Sequence, residues 1–289
     1  MRESKTAIVL AIPTLFGVAA WGQEGTPVSQ GEPASQGTQA GQGEQAAQGA
    51  STGGAQATQT PDEKLQAIVA RYQAQQQEVY EAYEKATSDE ERSKILEGLP
   101  GPEFAPEFRA LAEEVKGTDA AAHAWIWVLR LIQESDKPEA LRVLDTLLAE
   151  YLSSPALDEL ASDLRYAEYY YGAEPVEGAL RKIAEGSPHR SVQAAALFTL
   201  GAIFTESSDE SKKPQGRELL ERVAQDYADV DYWGRSTYGK EAGGYLFELD
   251  HLQIGMVAPD FETVDEGGTP WKLSDYRGKV VVVDFWGFW

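Results

Sequence analysis

From residue 61 to about residue 253 the apolar positions recur at helical spacing. The stretch opens at Thr60-Pro61-Asp62-Glu63: a threonine cap, a proline in the first turn and a glutamate three residues past the cap. Leu65, Ile68, Val69 and Tyr72 follow three and four residues apart. Breaks rich in Gly, Pro or small polar residues fall at Ser88, Leu99-Pro100-Gly101, Gly117-Thr118, Asp136 to Pro138, Ser154-Pro155, Gly172, Gly186 to Pro188 and Ser207 to Lys213. No alternating strand pattern stands out between 61 and 253. The predicted class is mainly α.

The helices repeat. Lys137-Pro138 recurs 76 positions later as Lys213-Pro214, and Val143, Leu144, Leu147, Leu148 and Tyr151 align with Leu219, Leu220, Val223, Ala224 and Tyr227. The preceding helices correspond after a four-residue loop insertion: Ala124, Trp125, Val128, Leu131 and Ile132 match Ala196, Leu197, Leu200, Ile203 and Phe204. A further pair, roughly 157–170 and 175–186, fits between them and implies a unit of about 38 residues, which suits stacked helical hairpins. Leu197 to Phe204, with Leu200-Gly201 and Phe204, resembles the first helix of a tetratricopeptide repeat (TPR).

Ahead of the helices lie two segments of other character. Residues 1–22 read as an export signal: Arg2 and Lys5, an apolar run from Ala7 to Ala20, then small residues as Val18-Ala19-Ala20 or Ala20-Trp21-Gly22. A cytosolic N-terminal helix is the alternative. The run is shorter than the ~20 apolar residues a spanning helix needs, so no membrane span is expected. Residues 23–60 hold nine Gln and eight Gly and no aromatic residue, the composition of a disordered linker. Gly49-Ala50-Ser51-Thr52-Gly53 fits a hydrolase-elbow string there, but neither it nor Gly41-Gln42-Gly43 follows a strand or opens a helix.

After Ile254 the pattern changes. Glu262-Thr263-Val264, a turn at Asp265-Glu266-Gly267-Gly268 and Pro270-Trp271-Lys272-Leu273 read as a hairpin; Ser274 to Lys279 reads as one helical turn closed by glycine. Val280 to Trp286 is a continuous apolar run of the kind buried on both faces of a sheet. Ala258-Pro259-Asp260-Phe261, the turn Leu273-Ser274-Asp275-Tyr276-Arg277-Gly278-Lys279, and Asp284-Phe285-Trp286-Gly287-Phe288-Trp289 together resemble the opening of the redoxin group. That group comprises the TlpA- and ResA-like thioredoxin-fold proteins and the alkyl hydroperoxide reductase/thiol-specific antioxidant family. The resemblance covers 36 of the 289 residues.

It implies that 254–289 begin a thioredoxin-like α/β domain, cut off before the Cys-x-x-Cys pair. The fold expected is TPR-like helical-hairpin repeats (61–253) followed by this incomplete β part. The implied activity is thiol-disulfide exchange by an exported, periplasmic or extracytoplasmic oxidoreductase. The tryptophan-flanked lead-in at Trp286 and Trp289 favours that chemistry over a peroxiredoxin-type antioxidant peroxidase. Asp284 matches the buried acid beneath the cysteine pair, where a desolvated carboxylate relays a proton; a purely structural strand residue is the other reading. A helical-repeat binding module with a vestigial redoxin opening is the alternative function.

Composition narrows the chemistry. There is no cysteine, so the chain has no thiolate, disulfide or thiol ligand, and it is expected to be inactive as it stands. Acids outnumber bases 47 to 25, a formal charge of −22 that argues against nucleic acid as partner. His123, His189 and His251 are too scattered for a metal site, and no cofactor is expected. Acid pairs such as Glu113-Glu114 and Asp209-Glu210 read as solvated helix faces. Tyr166, Tyr169, Tyr170, Tyr171, Tyr232, Trp233 and Tyr238 are either interhelical packing or a peptide-facing surface. Protein partners are expected through the repeats, and self-association through the C-terminal strand.

Overall fold

The computed structural model describes residues 59–283. The expected export signal, all but the last two residues of the expected linker, and Asp284, Trp286 and Trp289 lie outside the described residues. The described chain is mainly helical. Helix α1 (Pro61–Lys85) starts with the expected capping box: Thr60 N–H donates to Glu63 Oε2 at 2.8 Å and Glu63 N–H to Thr60 Oγ1 at 3.2 Å. Then come α2 (Asp89–Leu96), a 3₁₀ turn (Pro102–Phe104), α3 (Ala105–Glu114), α4 (Asp119–Ile132) and α5 (Lys137–Glu150). Side chains of Ser88, Thr118 and Asp136 cap α2, α4 and α5 by accepting a backbone N–H three residues on.

The next unit is less regular than its sequence suggests. Helix α6 (Leu157–Asp163) gives way to a 3₁₀ turn (Leu164–Tyr166) and the single-turn α7 (Glu168–Tyr171), in place of one helix over 157–170. Gly172 at φ 88° ends it, and α8 (Ala173–Gly186) follows. Helix α9 (Arg190–Glu206) is buried along nearly its whole length between α6, α8 and α10 (Lys213–Asp226). A helix apolar all round belongs at the centre of a core, and Leu200 and Phe204 anchor it there.

Helices α5 and α10 are the pair that the 76-residue offset aligns. Helices α5 and α10 are both 14 residues long, start 76 positions apart and carry a proline in their first turn. Val143, Leu144, Leu147 and Tyr151 are buried in the first; Leu220, Val223 and Tyr227 are buried in the second. Polar contacts join side chains of successive units at sequence separations of 33 to 39 residues, among them Arg130–Asp163, Tyr170–Glu134, Tyr227–Gln193, Arg217–Asp250 and Arg190–Asp229.

Two expectations need correction. Between α10 and α11 (Tyr238–His251) the chain forms a small antiparallel hairpin, β1 (Asp231–Tyr232) with β2 (Ser236–Thr237), where no strand was expected. Trp233 at φ 56° and Gly234 at φ 65° make its turn, and the Asp231 carboxylate accepts the Gly234 N–H at 2.7 Å. The run from Val280 is the other. Val280–Val283 form no strand and are exposed, Val280 at 98%. A strand apolar on both faces requires neighbours on both edges and cover on both sides, and the described residues supply neither.

Candidate functional site

The redoxin-like segment is a local structure. Strands β3 (Glu262–Val264) and β4 (Pro270–Lys272) pair with Thr263 opposite Trp271. The Asp265 carboxylate holds the turn by accepting the Gly267 and Thr269 N–H groups at 2.9 and 2.8 Å. Asp260 accepts from both the backbone N–H and the hydroxyl of Ser274 at 2.8 and 2.7 Å, and these bonds hold its carboxyl below the usual aspartate range. The expected helical turn is a 3₁₀ turn (Leu273–Tyr276), with Gly278 at φ 84° after it. Phe261, Trp271 and Tyr276 stack edge to face in series. Asp260 thereby ties the entry of the segment to its 3₁₀ turn. Chemically this part offers a scaffold and no thiol.

A second candidate lies between α4 and α6. One turn of α6 projects Glu159 and Asp163 toward α4. Arg130 bonds both, through Nη2 to Glu159 at 3.1 Å and Nε to Asp163 at 2.6 Å. His123, two turns before Arg130 on α4, places Nδ1 3.3 Å from the other Glu159 oxygen. Burial pushes the Glu159 carboxyl up, but the His123 hydrogen bond and the Arg130 charge together hold it below the ordinary glutamate value. At Asp163 burial outweighs Arg130 and the carboxyl sits above the ordinary aspartate value. The Arg130 guanidinium also lies over the Trp127 ring at 5.6 Å, and Trp127 stacks on buried Phe108 at 5.0 Å. This cluster clamps α4 to α6. Sequence reasoning missed it, because its members are 29 to 40 positions apart and only their i, i+4 and i, i+7 spacings on each helix hint at shared faces.

The structure divides the aromatic set. Tyr171 and Tyr238 are buried, and burial raises both phenols. Tyr232 and Tyr238 join Phe198, which also meets Tyr245, in edge-to-face contacts of 5.0 to 5.7 Å. Arg165 donates to Tyr245 Oη at 3.3 Å, pairs with Glu206 and lies over the Tyr166 ring at 5.5 Å. Tyr166 and Tyr169 are themselves exposed, at 66% and 89%, and Trp233 at 40%. Tyr170 is held by Glu134 at 3.0 Å and meets Tyr169 edge to face. Among the described residues, no group of three or more His, Cys, Asp or Glu is arranged to hold a metal ion, and no helix is long and apolar enough to cross a membrane.

Comparison with known proteins gives the chemistry a direction. Over 45 residues the chain is 44% identical to the thiol-disulfide oxidoreductase ResA of Geobacillus kaustophilus, a match covering 16% of this chain and 26% of that protein. Some 45 residues of this chain are thus similar to thiol-disulfide oxidoreductases. ResA of Geobacillus thermodenitrificans is 42% identical over 45 residues (16% of this chain, 26% of that protein). ResA of Bacillus thuringiensis subsp. konkukian is 39% identical over 46 residues (16% and 27%). The chain spans about a quarter of the length of these curated relatives. No family model matches the chain, and no solved structure matches it.

Proposed function

We propose that this chain is the N-terminal portion of an exported thioredoxin-like thiol-disulfide oxidoreductase. In this reading residues 1–22 direct export, 23–60 form a tether, and 61–253 form a TPR-like module that recruits protein partners. Residues 254–289 open the thioredoxin-type domain. The observation that carries the reading is the 39–44% identity to ResA proteins. The hairpin and 3₁₀ turn described above support it, because they fall where the redoxin motifs stand in the sequence. Asp284 would relay protons to a cysteine pair following Trp289, with Trp286 and Trp289 flanking that pair.

The test is the coding sequence beyond the Trp289 codon. A Cys-x-x-Cys within the next few codons, and insulin reduction by the longer protein, are the expected results. The 289-residue chain itself should show no turnover, since it has no thiolate. An open frame without cysteines would overturn the oxidoreductase reading. It would leave the second one: a helical binding module with a vestigial redoxin opening. One observation favours that alternative, namely that the packed apolar core ends at Leu246 and takes nothing from the segment after 254. Export is tested by N-terminal sequencing of the protein from its native host, with cleavage expected near Ala20 or Gly22.

A further inference from the structure

We propose that residues 253–257 form a hinge on which the redoxin-like segment turns, as one body, against the helical module. Such a hinge would carry a redox domain to differently placed disulfides of a partner held on the helices, a use that rests on the oxidoreductase reading. Helix α11 closes its own end: the Leu252 N–H and the Gln253 side-chain amide both donate to the Glu248 carbonyl, at 2.9 Å each. Residues 252–258 are then exposed without a break, Ile254 at 107% and Val257 at 87%. Apolar side chains left in water gain little from the helix surface, so burial does not fix the direction in which the chain leaves α11.

The bonds of the connection are few and local. The Met256 N–H donates to the Gln253 carbonyl at 3.0 Å, and Gly255 inside that turn stands at φ 90°, a region open to glycine without steric cost. Pro259, with its fixed φ, leads into the stiff body, which begins at the Asp260–Ser274 bonds. From there to Lys279 the segment is bound to itself, by the β3–β4 ladder, the Asp265 turn, the Lys272–Glu262 pair and the Phe261–Trp271–Tyr276 series. Among the described residues, no hydrogen bond or ion pair joins 254–283 to the helices. Turning about 253–257 thus breaks one turn hydrogen bond and no ion pair. Hinges are a few loop or element-terminal residues that absorb large φ/ψ changes. Five such residues, fully extended, reach about 17 Å.

The absence of cysteine makes the test direct. Nitroxide labels are attached to pairs of introduced cysteines in the 289-residue chain, and pulsed electron double resonance in frozen solution reads each distance distribution. Gln225→Cys on α10 with Glu266→Cys at the β3–β4 turn spans the hinge. Asp145→Cys with Gln225→Cys lies within the helices, and Glu266→Cys with Arg277→Cys lies within the segment; all four positions are exposed. The pair across the hinge should give a distribution at least about three times as wide as either internal pair, given the reach of the connection. A distribution across the hinge as narrow as the internal ones would overturn the proposal, because the segment would then keep one orientation. So would a broad Glu266/Arg277 distribution, because the segment would not move as one body. The measurement involves no catalytic thiol, so a rigid connection would leave the oxidoreductase reading standing.

Discussion

Helices α9 and α10 approach so closely at Gly201 and Gly216 that a methyl group decides the outcome. A Cβ on Gly216 would lie 2.8 Å from the backbone nitrogen of Thr205 and 2.9 Å from the Gly201 carbonyl oxygen. Both obstacles are backbone and cannot rotate away, so Gly216→Ala must push the helices apart. Overpacking of this kind costs about 1–3 kcal/mol. Alanine recovers up to about 1 kcal/mol of helix propensity over glycine. With rigid obstacles on two sides the net loss is about 1–2 kcal/mol, a fall in Tm of roughly 2–8 °C for a fold of this size. Gly178 in α8 provides the opposite case: a Cβ there meets nothing within 4 Å. Gly178→Ala should therefore gain about 1 kcal/mol and raise Tm by roughly 2–4 °C. Thermal unfolding followed by circular dichroism reads both. A rise in Tm for both variants would refute the close approach of α9 and α10.

Glu159→Gln should destabilise by about 1–3 kcal/mol at neutral pH, because charge-assisted bonds to Arg130 and His123 are lost. The folded-state pKa of Glu159 is depressed, so its stabilisation is full above the unfolded value of about 4.3 and fades as pH falls through the folded value. The gap between native and variant stabilities, measured by urea unfolding, should be constant from pH 7 to 5 and close at lower pH; a gap that widens on acidification would contradict this. Phe108→Ala removes a fully buried ring stacked on Trp127 and should cost about 3–5 kcal/mol. Tryptophan fluorescence should change in the same variant, and an unaltered Tm would count against the stacked arrangement.

Features set by local chemistry could be read from the sequence, and those set by packing between distant segments could not. Thr60 was read as a cap and Ser88, Thr118 and Asp136 as breaks between helices; all four cap a helix, because capping is decided within four residues. The mainly helical character was legible because apolar positions recur at helical spacing from Leu65 onward. The Arg130–Glu159–Asp163 clamp was not, since nothing within α4 or α6 alone tells which helix will lie opposite. The β1–β2 hairpin was hidden for another reason. Its turn puts two successive residues at positive φ, which the sequence normally announces with Asn-Gly or Asp-Gly; here the first is Trp233. The valine run shows the limit of pattern reading, because an apolar stretch states what it would bury and not whether anything is present to cover it. Of the motif residues that carry the redoxin resemblance, Asp260 and Ser274 are hydrogen-bonded to each other; the site residues Asp284, Trp286 and Trp289 are not among the described residues.

The separation between core and redoxin-like segment leads to a last prediction. The bonds that order residues 260–279 run within that stretch: Asp260 to Ser274, Asp265 to Thr269, and Lys272 to Asp275 and Glu262. Ile254, Val257 and Val264 are exposed, and the packed core stops at Leu246. Hydrophobic stabilisation follows apolar area removed from water, and these side chains remove little of it against the helices. A fragment of residues 61–253 should therefore melt cooperatively within about 2 °C of the full chain, a difference worth less than about 1 kcal/mol. Such independence would leave the packing of the helices unchanged whatever follows Ile254. A fragment melting well below the full chain, or without a cooperative transition, would show that residues 254–283 hold the helices together and that the boundary at 254 is misplaced.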